Sequence, residues 1–144
     1  MNRVSEAETG NSLKAAIIGM GGFANRHVAQ LLEGEAAQRL DFVAAIDPDP
    51  SRCEHLAAIE ERKIPVYASI DDFASTGAAD LMIVSTPIHL HCAHTLAALD
   101  LGCDVYCEKP VAATIQDARA MLHDRFGIGH TTLQVETGGD CASC

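Results

Sequence analysis

The chain has 144 residues, of which 48% are hydrophobic and 21% charged, so it can bury the core of one ordinary domain and wholesale disorder is excluded. Twenty acidic against ten basic residues give a net charge of −10, which argues against nucleic acid or an anionic membrane surface as principal partner. No apolar run approaches the roughly 18 residues of a spanning helix and no secretion signal opens the chain, so we expect a soluble, cytoplasmic protein.

Short apolar runs alternate with helical periodicity along most of the chain, after a polar tail over residues 1–12. Strands are predicted at 13–18, 42–46, 65–67, 81–85, 104–107 and 131–135, and helices at 22–33, 49–59, 90–101 and 114–122. Strands that alternate with helices imply right-handed crossovers and a doubly wound parallel sheet. The predicted fold class is therefore α/β and Rossmann-like, a single domain over residues 13–136.

Local signals bound three of the predicted helices. Asp49 followed by Pro50 is typical of a helix start, and Gly102 of a helix end. Thr114 is the expected cap of the last helix, with Asp117 as the acidic residue of its first turn.

A glycine-rich segment links the first predicted strand to the first helix. It runs Gly19, Met20, Gly21, Gly22, Phe23, Ala24 and fits the pattern G-x-G-x-x-A. In such a loop the first glycine permits the tight turn, the second lets a pyrophosphate approach the backbone, and the small sixth residue allows close packing. N–H groups at the helix start would meet the phosphate charge. The alternative is a glycine turn in an α/β domain without a ligand.

An acidic residue, Asp47, follows the second predicted strand at the distance expected of the group that binds ribose hydroxyls. A carboxylate there repels a 2′-phosphate, so NAD is favoured over NADP as cofactor. Arg52 lies nearby in the sequence and would partly offset this repulsion. The alternative is that Asp47 only joins Asp49 in a turn rich in capping residues.

Two more segments follow predicted strands, at the sheet edge where open α/β folds bind ligands. They are Ser85-Thr86-Pro87-Ile88-His89-Leu90-His91 and Glu108-Lys109-Pro110. With the glycine loop and Asp47 they complete the ordered set G-x-G-x-x-A, A-x-x-D, T-P-x-x-x-H and E-K-P. Over about residues 13–121 the chain thereby resembles the Gfo/Idh/MocA (glucose-fructose oxidoreductase / inositol dehydrogenase) family.

The resemblance implies an NAD(P)-binding domain of an oxidoreductase that transfers hydride with a sugar or polyol-like substrate. It makes Lys109 the catalytic acid/base, with Glu108 to orient it and Pro110 to fix the backbone direction. A partly desolvated lysine beside a nicotinamide cation exchanges a proton with a substrate hydroxyl readily. The alternative is that Glu108 and Lys109 form a solvated pair in a loop. The residues assigned to cofactor binding are Gly19, Gly21, Gly22, Phe23, Ala24, Asp47, Thr86, Pro87, His91, Glu108, Lys109 and Pro110.

The family continues into a second α/β domain that supplies most of the substrate pocket, and this sequence stops where that domain would begin. Hydride transfer needs a substrate held in a near-attack pose, so catalysis is expected if a further domain or partner completes the site. An unpaired sheet edge would favour a homo-oligomer. The alternative function is a noncatalytic dinucleotide-binding module.

The end of the chain carries a second resemblance. Residues 130–136 read H-x-T-x-Q-x-E and resemble the closing strand of the cytoplasmic domain of cation diffusion facilitator transporters. Cys141 and Cys144 then form a C-x-x-C pair in a tail over residues 137–144. A metal-responsive module that binds Zn²⁺ there with His130 or His123 is a third interpretation. A simple thiol tail is favoured, and no metal ligand is assigned.

Overall fold

A computed structural model of the chain describes residues 12–133. Five parallel strands form one sheet in the order β3-β2-β1-β4-β5. They are β1 (Leu13–Ile18), β2 (Leu40–Ile46), β3 (Val66–Tyr67), β4 (Leu81–Val84) and β5 (Asp104–Cys107). The strand order reverses between β1 and β4, the place where open α/β sheets bind ligands. The predicted doubly wound parallel sheet is confirmed.

Five α-helices connect the strands. They are α1 (Ala24–Glu33), α2 (Leu56–Glu61), α3 (Ile70–Thr76), α4 (His91–Asp100) and α5 (Ile115–Phe126). Short 3-10 turns add Glu35–Gln38, Pro50–Arg52 and Ile88–Leu90. Asp49 caps the second of these turns, so the helix predicted over 49–59 is in fact split between that turn and α2. Thr114 caps α5 as predicted, because its hydroxyl accepts the Asp117 N–H at 3.1 Å.

Helix α3 was not predicted. It has 7 residues and buries one side chain, Phe73, so it shows no helical periodicity. Its sequence signals lie only at its ends, where the Ser69 hydroxyl accepts the Asp72 N–H at 3.1 Å, Asp71 and Asp72 are acidic residues of the first turn, and Gly77 follows the last residue. A cap without an apolar stripe is a weak signal, since most helix stability comes from the buried face.

Both faces of the sheet are covered by helices, which explains why residues 15–18 of β1 form an apolar run. Ala15 and Ile17 point into one core cluster with α1 and α2, while Ala16 and Ile18 point into the other with Phe73 of α3. All four β1 side chains are at most 4% exposed. Strands buried on both faces read as continuous hydrophobic runs.

The C-terminal ends of the five strands lie side by side in a single row, which we call the terminal row. Its residues, paired in register across the sheet, are Tyr67, Ile46, Ile18, Val84 and Cys107. The ladder extends one residue further, because the N–H groups of Asp47, Gly19, Ser85 and Glu108 donate to carbonyls of the row at 2.8–2.9 Å. Each connecting loop therefore leaves the sheet at the same height.

Several predictions at the chain ends differ from the structure or lie outside the described residues. Residues 131–133 are not in a strand, so the described part of the strand predicted at 131–135 is wrong. The tail expected over 1–12, except Ser12, and residues 134–144 with Cys141 and Cys144 lie outside the described part. No helix within residues 12–133 is long and apolar enough to cross a membrane.

Gly19 is held against the end of β4. Its φ of +91° is a backbone conformation that side chains disfavour, and a Cβ built on it would lie 2.5 Å from the Ser85 carbonyl oxygen. Gly102 has a similar φ of +83°, with open space where its Cβ would be. Both glycines therefore have a backbone conformation that disfavours a side chain. Of the two, only Gly19 also lies close to the backbone of another segment.

We expect Gly19→Ala to lower the free energy of unfolding by more than Gly102→Ala. The Gly102 variant should lose about 1–3 kcal/mol from backbone strain, and the Gly19 variant should lose more because the β4 carbonyl must also move. Urea unfolding of both variants measures the difference. Equal losses would show that the approach of the loop to β4 is not a constraint.

Candidate functional site

A cavity of about 750 Å³ opens above the terminal row, within the usual size range of ligand sites. Each strand contributes the residue that directly follows its last one, namely Ala68, Asp47, Gly19, Ser85 and Glu108. The cavity thus spans the full width of the sheet, with the strand-order reversal in its middle.

The glycine loop forms the floor of the cavity at the start of α1. Gly21, Gly22 and Phe23 line it, and their N–H groups donate no hydrogen bond within residues 12–133. Unused N–H groups at a helix start, together with the helix dipole, favour an anion. The loop therefore offers a cradle for a phosphate group.

Asp47 ties the glycine loop to the end of β2. Its Oδ2 accepts the Met20 N–H at 2.8 Å, and its Oδ1 accepts the Asp49 N–H at 2.8 Å. Each carboxylate oxygen has a second lone pair, so the half-buried side chain still offers acceptors to the cavity that it lines. The same carboxylate therefore shapes the loop and can receive hydroxyl groups.

Arg52 brings positive charge to this end of the cavity and packs against Gly21. A Cβ built on Gly21 would lie 3.1 Å from the Arg52 Cβ, so the absence of a side chain at Gly21 leaves room for the arginine. The turn with Arg52 is docked on α1 by Asn25, which accepts the Glu54 N–H at 2.8 Å and donates to the Arg52 carbonyl at 3.3 Å. The sequence analysis missed Asn25, because its role is seen only when the turn and helix are placed together.

Asp49 adds negative charge beside Asp47. Hydrogen bonds from the hydroxyl and the N–H of Ser51 lower the pKa of the Asp49 carboxyl. The side chain lines the cavity and is ionised at neutral pH. Two carboxylates therefore face the end of the cavity that Arg52 also borders.

His91 joins two of the segments that line the cavity. It is 2% exposed, and its ring nitrogens lie 2.7 Å from the carbonyl oxygens of Thr86 and Pro110. Pro110 itself does not line the cavity, nor does Ala24, which is fully buried in the core. Both were assigned to cofactor contact, and in the structure they support the residues that do line the cavity. Thr86, Pro87 and His91 line it.

His94 lines the cavity and was not assigned from the sequence. Its Nδ1 lies 3.1 Å from the Thr86 hydroxyl. Burial, with a smaller contribution from the charge of His91, lowers the pKa of His94 below its ordinary value of 6.5. The signal that could have found it is its spacing of three residues from His91 on one helix, which places both on one face.

Lys109 lies on the rim of the cavity and is exposed. Glu108 does not pair with its ammonium group. The Glu108 carboxylate instead lies 2.6 Å from His27 Nε2 and accepts the Lys109 backbone N–H at 3.2 Å. Residues 12–133 therefore do not supply the desolvation expected for this lysine, and Glu108 acts on its main chain.

The remaining wall of the cavity comes from the segment between β3 and α3, which the sequence analysis also missed. Ala68, Ser69 and Ile70 line this side. These residues line the cavity because they run from the end of β3 to the start of α3. Within the described part of the chain, no group of three or more histidine, cysteine, aspartate or glutamate side chains is placed to hold a metal ion.

We expect the free energy of unfolding to fall as the pH is lowered through about 6.5, in part because of His94. Its pKa is lower in the folded chain, so the unfolded state binds more protons in this range and stability present above it is lost. Urea unfolding at about pH 5 and about pH 7.5 should show a smaller fall for His94→Gln than for the unsubstituted chain. Equal falls would contradict the assignment of a neutral, buried His94.

Residues 13–125 match the Gfo/Idh/MocA family, described as an oxidoreductase family with an NAD-binding Rossmann fold. Inositol 2-dehydrogenase 1 of Saccharopolyspora erythraea is 32% identical over 123 residues, which are 85% of this chain and 36% of that protein. D-glucoside 3-dehydrogenase of Escherichia coli K12 is 33% identical over 129 residues, which are 88% of this chain and 35% of that protein.

Among solved structures, the WlbA dehydrogenase of Chromobacterium violaceum in complex with NADH and UDP-GlcNAcA superimposes with a TM-score of 0.68. It is 30% identical, and the match covers 81% of this chain and 33% of that one. The chain spans about a third of the length of the curated relatives that it matches. On these matches and the fold, the chain belongs to the Gfo/Idh/MocA oxidoreductase family and contains its NAD-binding Rossmann domain.

Proposed function

We propose that the cavity above the terminal row binds NAD and that the chain is the cofactor-binding part of a sugar or polyol oxidoreductase. The observation that carries this proposal is the position of three chemically different groups around one cavity. The N–H groups of the glycine loop, the Asp47 carboxylate and Lys109 all border it. These groups match the phosphate, the ribose and the reacting end of a dinucleotide.

The glycine loop fits a pyrophosphate on the evidence of its own backbone. The N–H groups of Gly21, Gly22 and Phe23 are unused by the described residues, and a Cβ on Gly22 would meet nothing within 4 Å. The start of α1 adds the positive end of a 10-residue helix. Arg52 provides a further positive charge beside Gly21.

The two carboxylates favour NAD over NADP. Asp47 offers acceptor lone pairs to ribose hydroxyls, and the ionised Asp49 stands next to it. A 2′-phosphate placed there would face two like charges, and Arg52 balances only one of them. We infer that NADPH binds more weakly than NADH.

The opposite end of the cavity fits the nicotinamide and the reaction. When bound, NAD supplies the hydride acceptor at this end. Thr86 and Pro87 form the wall, and Nζ of Lys109 can take the hydroxyl proton as the neutral amine and give one as the ammonium. Because Lys109 is exposed in the structure, we propose that a further domain or partner covers it and holds the substrate.

The substrate class is supported by the relatives. The two curated proteins are named as inositol and D-glucoside dehydrogenases, that is, for a polyol and a sugar. Both names favour an enzymatic role over the alternative of a noncatalytic dinucleotide-binding module. The third interpretation, a metal-responsive tail, rests on Cys141 and Cys144 outside the described residues.

We expect NADH to bind and its fluorescence to rise, and Gly21→Val to weaken this binding by about tenfold or more. The branched side chain meets Arg52 at 3.1 Å and displaces it or the loop from the phosphate position. Titration of the purified chain with NADH, and with NADPH for comparison, measures the effect.

The matched control is Gly129→Val, because a Cβ there meets nothing within 4 Å and the residue does not line the cavity. Its NADH affinity should equal that of the unsubstituted chain. Wild-type affinity in a folded Gly21→Val variant would contradict the loop assignment, and absence of NADH binding by the unsubstituted chain would contradict the proposed function.

We expect Lys109→Met to abolish NAD-dependent oxidation of polyols and to change NADH affinity by less than about threefold. Methionine keeps the length of the side chain and removes the group that moves the proton. Reduction of NAD in the presence of inositols or glucosides measures turnover, with the chain completed by the further domain or partner that covers Lys109. Unchanged turnover of the completed enzyme would remove Lys109 from the reaction, and a loss of NADH affinity beyond threefold would contradict its separation from cofactor binding.

A further inference from the structure

We propose that His27 is a positioning residue, which links the helix at the phosphate cradle to the backbone of Lys109 through Glu108. The inference rests on the proposed function, because it concerns the same cavity. Neither His27 nor its contact with Glu108 was assigned any role by the sequence motifs.

The contact is short, and both of its side chains are largely buried. His27 Nε2 lies 2.6 Å from Glu108 Oε1, and the side chains are 19% and 16% exposed. With hydrogen on Nε2, the ring donates to a carboxylate, and hydrogen bonds to charged groups are stronger than neutral ones. The pair also spans 81 positions of sequence, so it joins α1 to the end of β5 across the strand-order reversal.

The His27 ring is held by aromatic neighbours on two elements. Phe23, one helical turn earlier on the glycine loop, meets it edge to face at a centroid distance of 5.6 Å. Tyr106 of β5 meets it in the same manner at 5.7 Å. These contacts restrict rotation of the imidazole. They therefore fix the direction of its N–H group independently of the hydrogen bond to Glu108.

The other oxygen of Glu108 transmits this position to Lys109. Oε2 accepts the Lys109 backbone N–H at 3.2 Å, so Glu108 holds the main chain of Lys109 and does not pair with its ammonium group within residues 12–133. Other anchors of the segment run to β4, through the Glu108 N–H and the Val84 carbonyl, and to α4, through His91 and the Pro110 carbonyl. The His27 anchor is the one that runs to α1, the helix whose start forms the phosphate cradle.

This arrangement implies a defined function for His27. A cofactor seated by its phosphates on α1 would find the Lys109 main chain fixed to the same helix, so the distance from the cradle to the amine varies little. Loss of His27 should leave the cradle intact and loosen the amine. A purely structural role would instead lower stability and cofactor affinity together.

The experiment observes the Lys109 amine directly. The sequence holds lysine only at positions 14, 63 and 109, so reductive methylation with ¹³C-formaldehyde labels these three side chains and the α-amino group, and the signal that Lys109→Arg removes is assigned to Lys109. Methylation keeps the positive charge. NADH is added to the full labelled chain, and its affinity is followed separately by fluorescence.

In the unsubstituted chain the Lys109 signal should move as NADH is added, with the midpoint of the fluorescence titration. In His27→Ala the movement should fall by about half or more while NADH affinity changes by less than about threefold. His27→Gln restores a donor nitrogen near the Nε2 position and should restore the movement. His27→Ala combined with Glu108→Ala should have no larger effect than either change alone, because the two residues act as a unit.

The control is His123→Ala, which removes another histidine paired with a carboxylate, 70% exposed and away from the cavity. Full movement of the Lys109 signal in His27→Ala overturns the inference. Where His27→Ala fails to fold, His27→Gln decides, since wild-type affinity with reduced movement in that variant also overturns it. Failure of the unsubstituted chain to bind NADH is distinguishable, because it contradicts the proposed function before any His27 variant is made.

Discussion

The parallel register at the terminal row is the constraint on which the rest of the structure depends. Backbone hydrogen bonds at 2.8–2.9 Å carry the ladder one residue beyond the strands, and the next side chain of every strand then faces one cavity. A slip of one residue in β4 would exchange Met82 and Ile83 between the two faces of the sheet. Each of these faces is filled by its own core cluster. The packing of the core therefore fixes where the polar loops begin.

The two ends of the cavity are built to different degrees. At the glycine-loop end, Asp47 accepts one hydrogen bond from the loop and one from the turn after β2, and Asn25 holds the turn of Arg52 through two hydrogen bonds to backbone groups. Such bonds fix a loop without closing the surface that faces the ligand. At the other end, Lys109 is exposed and its ammonium has no carboxylate partner within residues 12–133. The Asp47 end of the cavity is thus preorganised, while the Lys109 end is open.

Much of the fold was predictable because local and global requirements agree in it. β1, β2 and β4 contain apolar runs that suit burial on both faces, at residues 15–18, 42–46 and 81–84, and the glycine or polar residue that follows each run ends the strand. The strand predicted at 131–135 is wrong over residues 131–133. Alternation of apolar and polar residues is a local property of the sequence, whereas a strand also needs a partner at a sheet edge. Helix α3 was not predicted for the opposite reason. It buries only Phe73, which gives no helical periodicity, so no apolar pattern supported the cap at Ser69. The shift in pairing between Ala15 and Ala16 has no sequence signal at all.

For the site, the predictable positions were those that directly follow a strand, and the rest depended on which helix face turns to the cavity. Asp47 and Gly19 follow strand ends, so their meeting at one edge is a consequence of topology. His94 and His27 lie within helices, where a polar residue in an apolar stripe is ambiguous between core and site. His27 lies one turn after Phe23. Its contact with the Glu108 carboxylate becomes evident only when the end of β5 is placed beside α1.

The segment Glu108-Lys109-Pro110 is held by hydrogen bonds from several elements of the fold. Three hydrogen bonds, to β4, α4 and α1, restrain Glu108 and Pro110, the residues on either side of Lys109. Each is worth about 0.5–3 kcal/mol at most, so none alone would hold an exposed loop against thermal motion. Because they run to three different elements, displacement in any one direction breaks at least one of them. Restraint of the main chain beside Lys109 is therefore compatible with exposure of its amine.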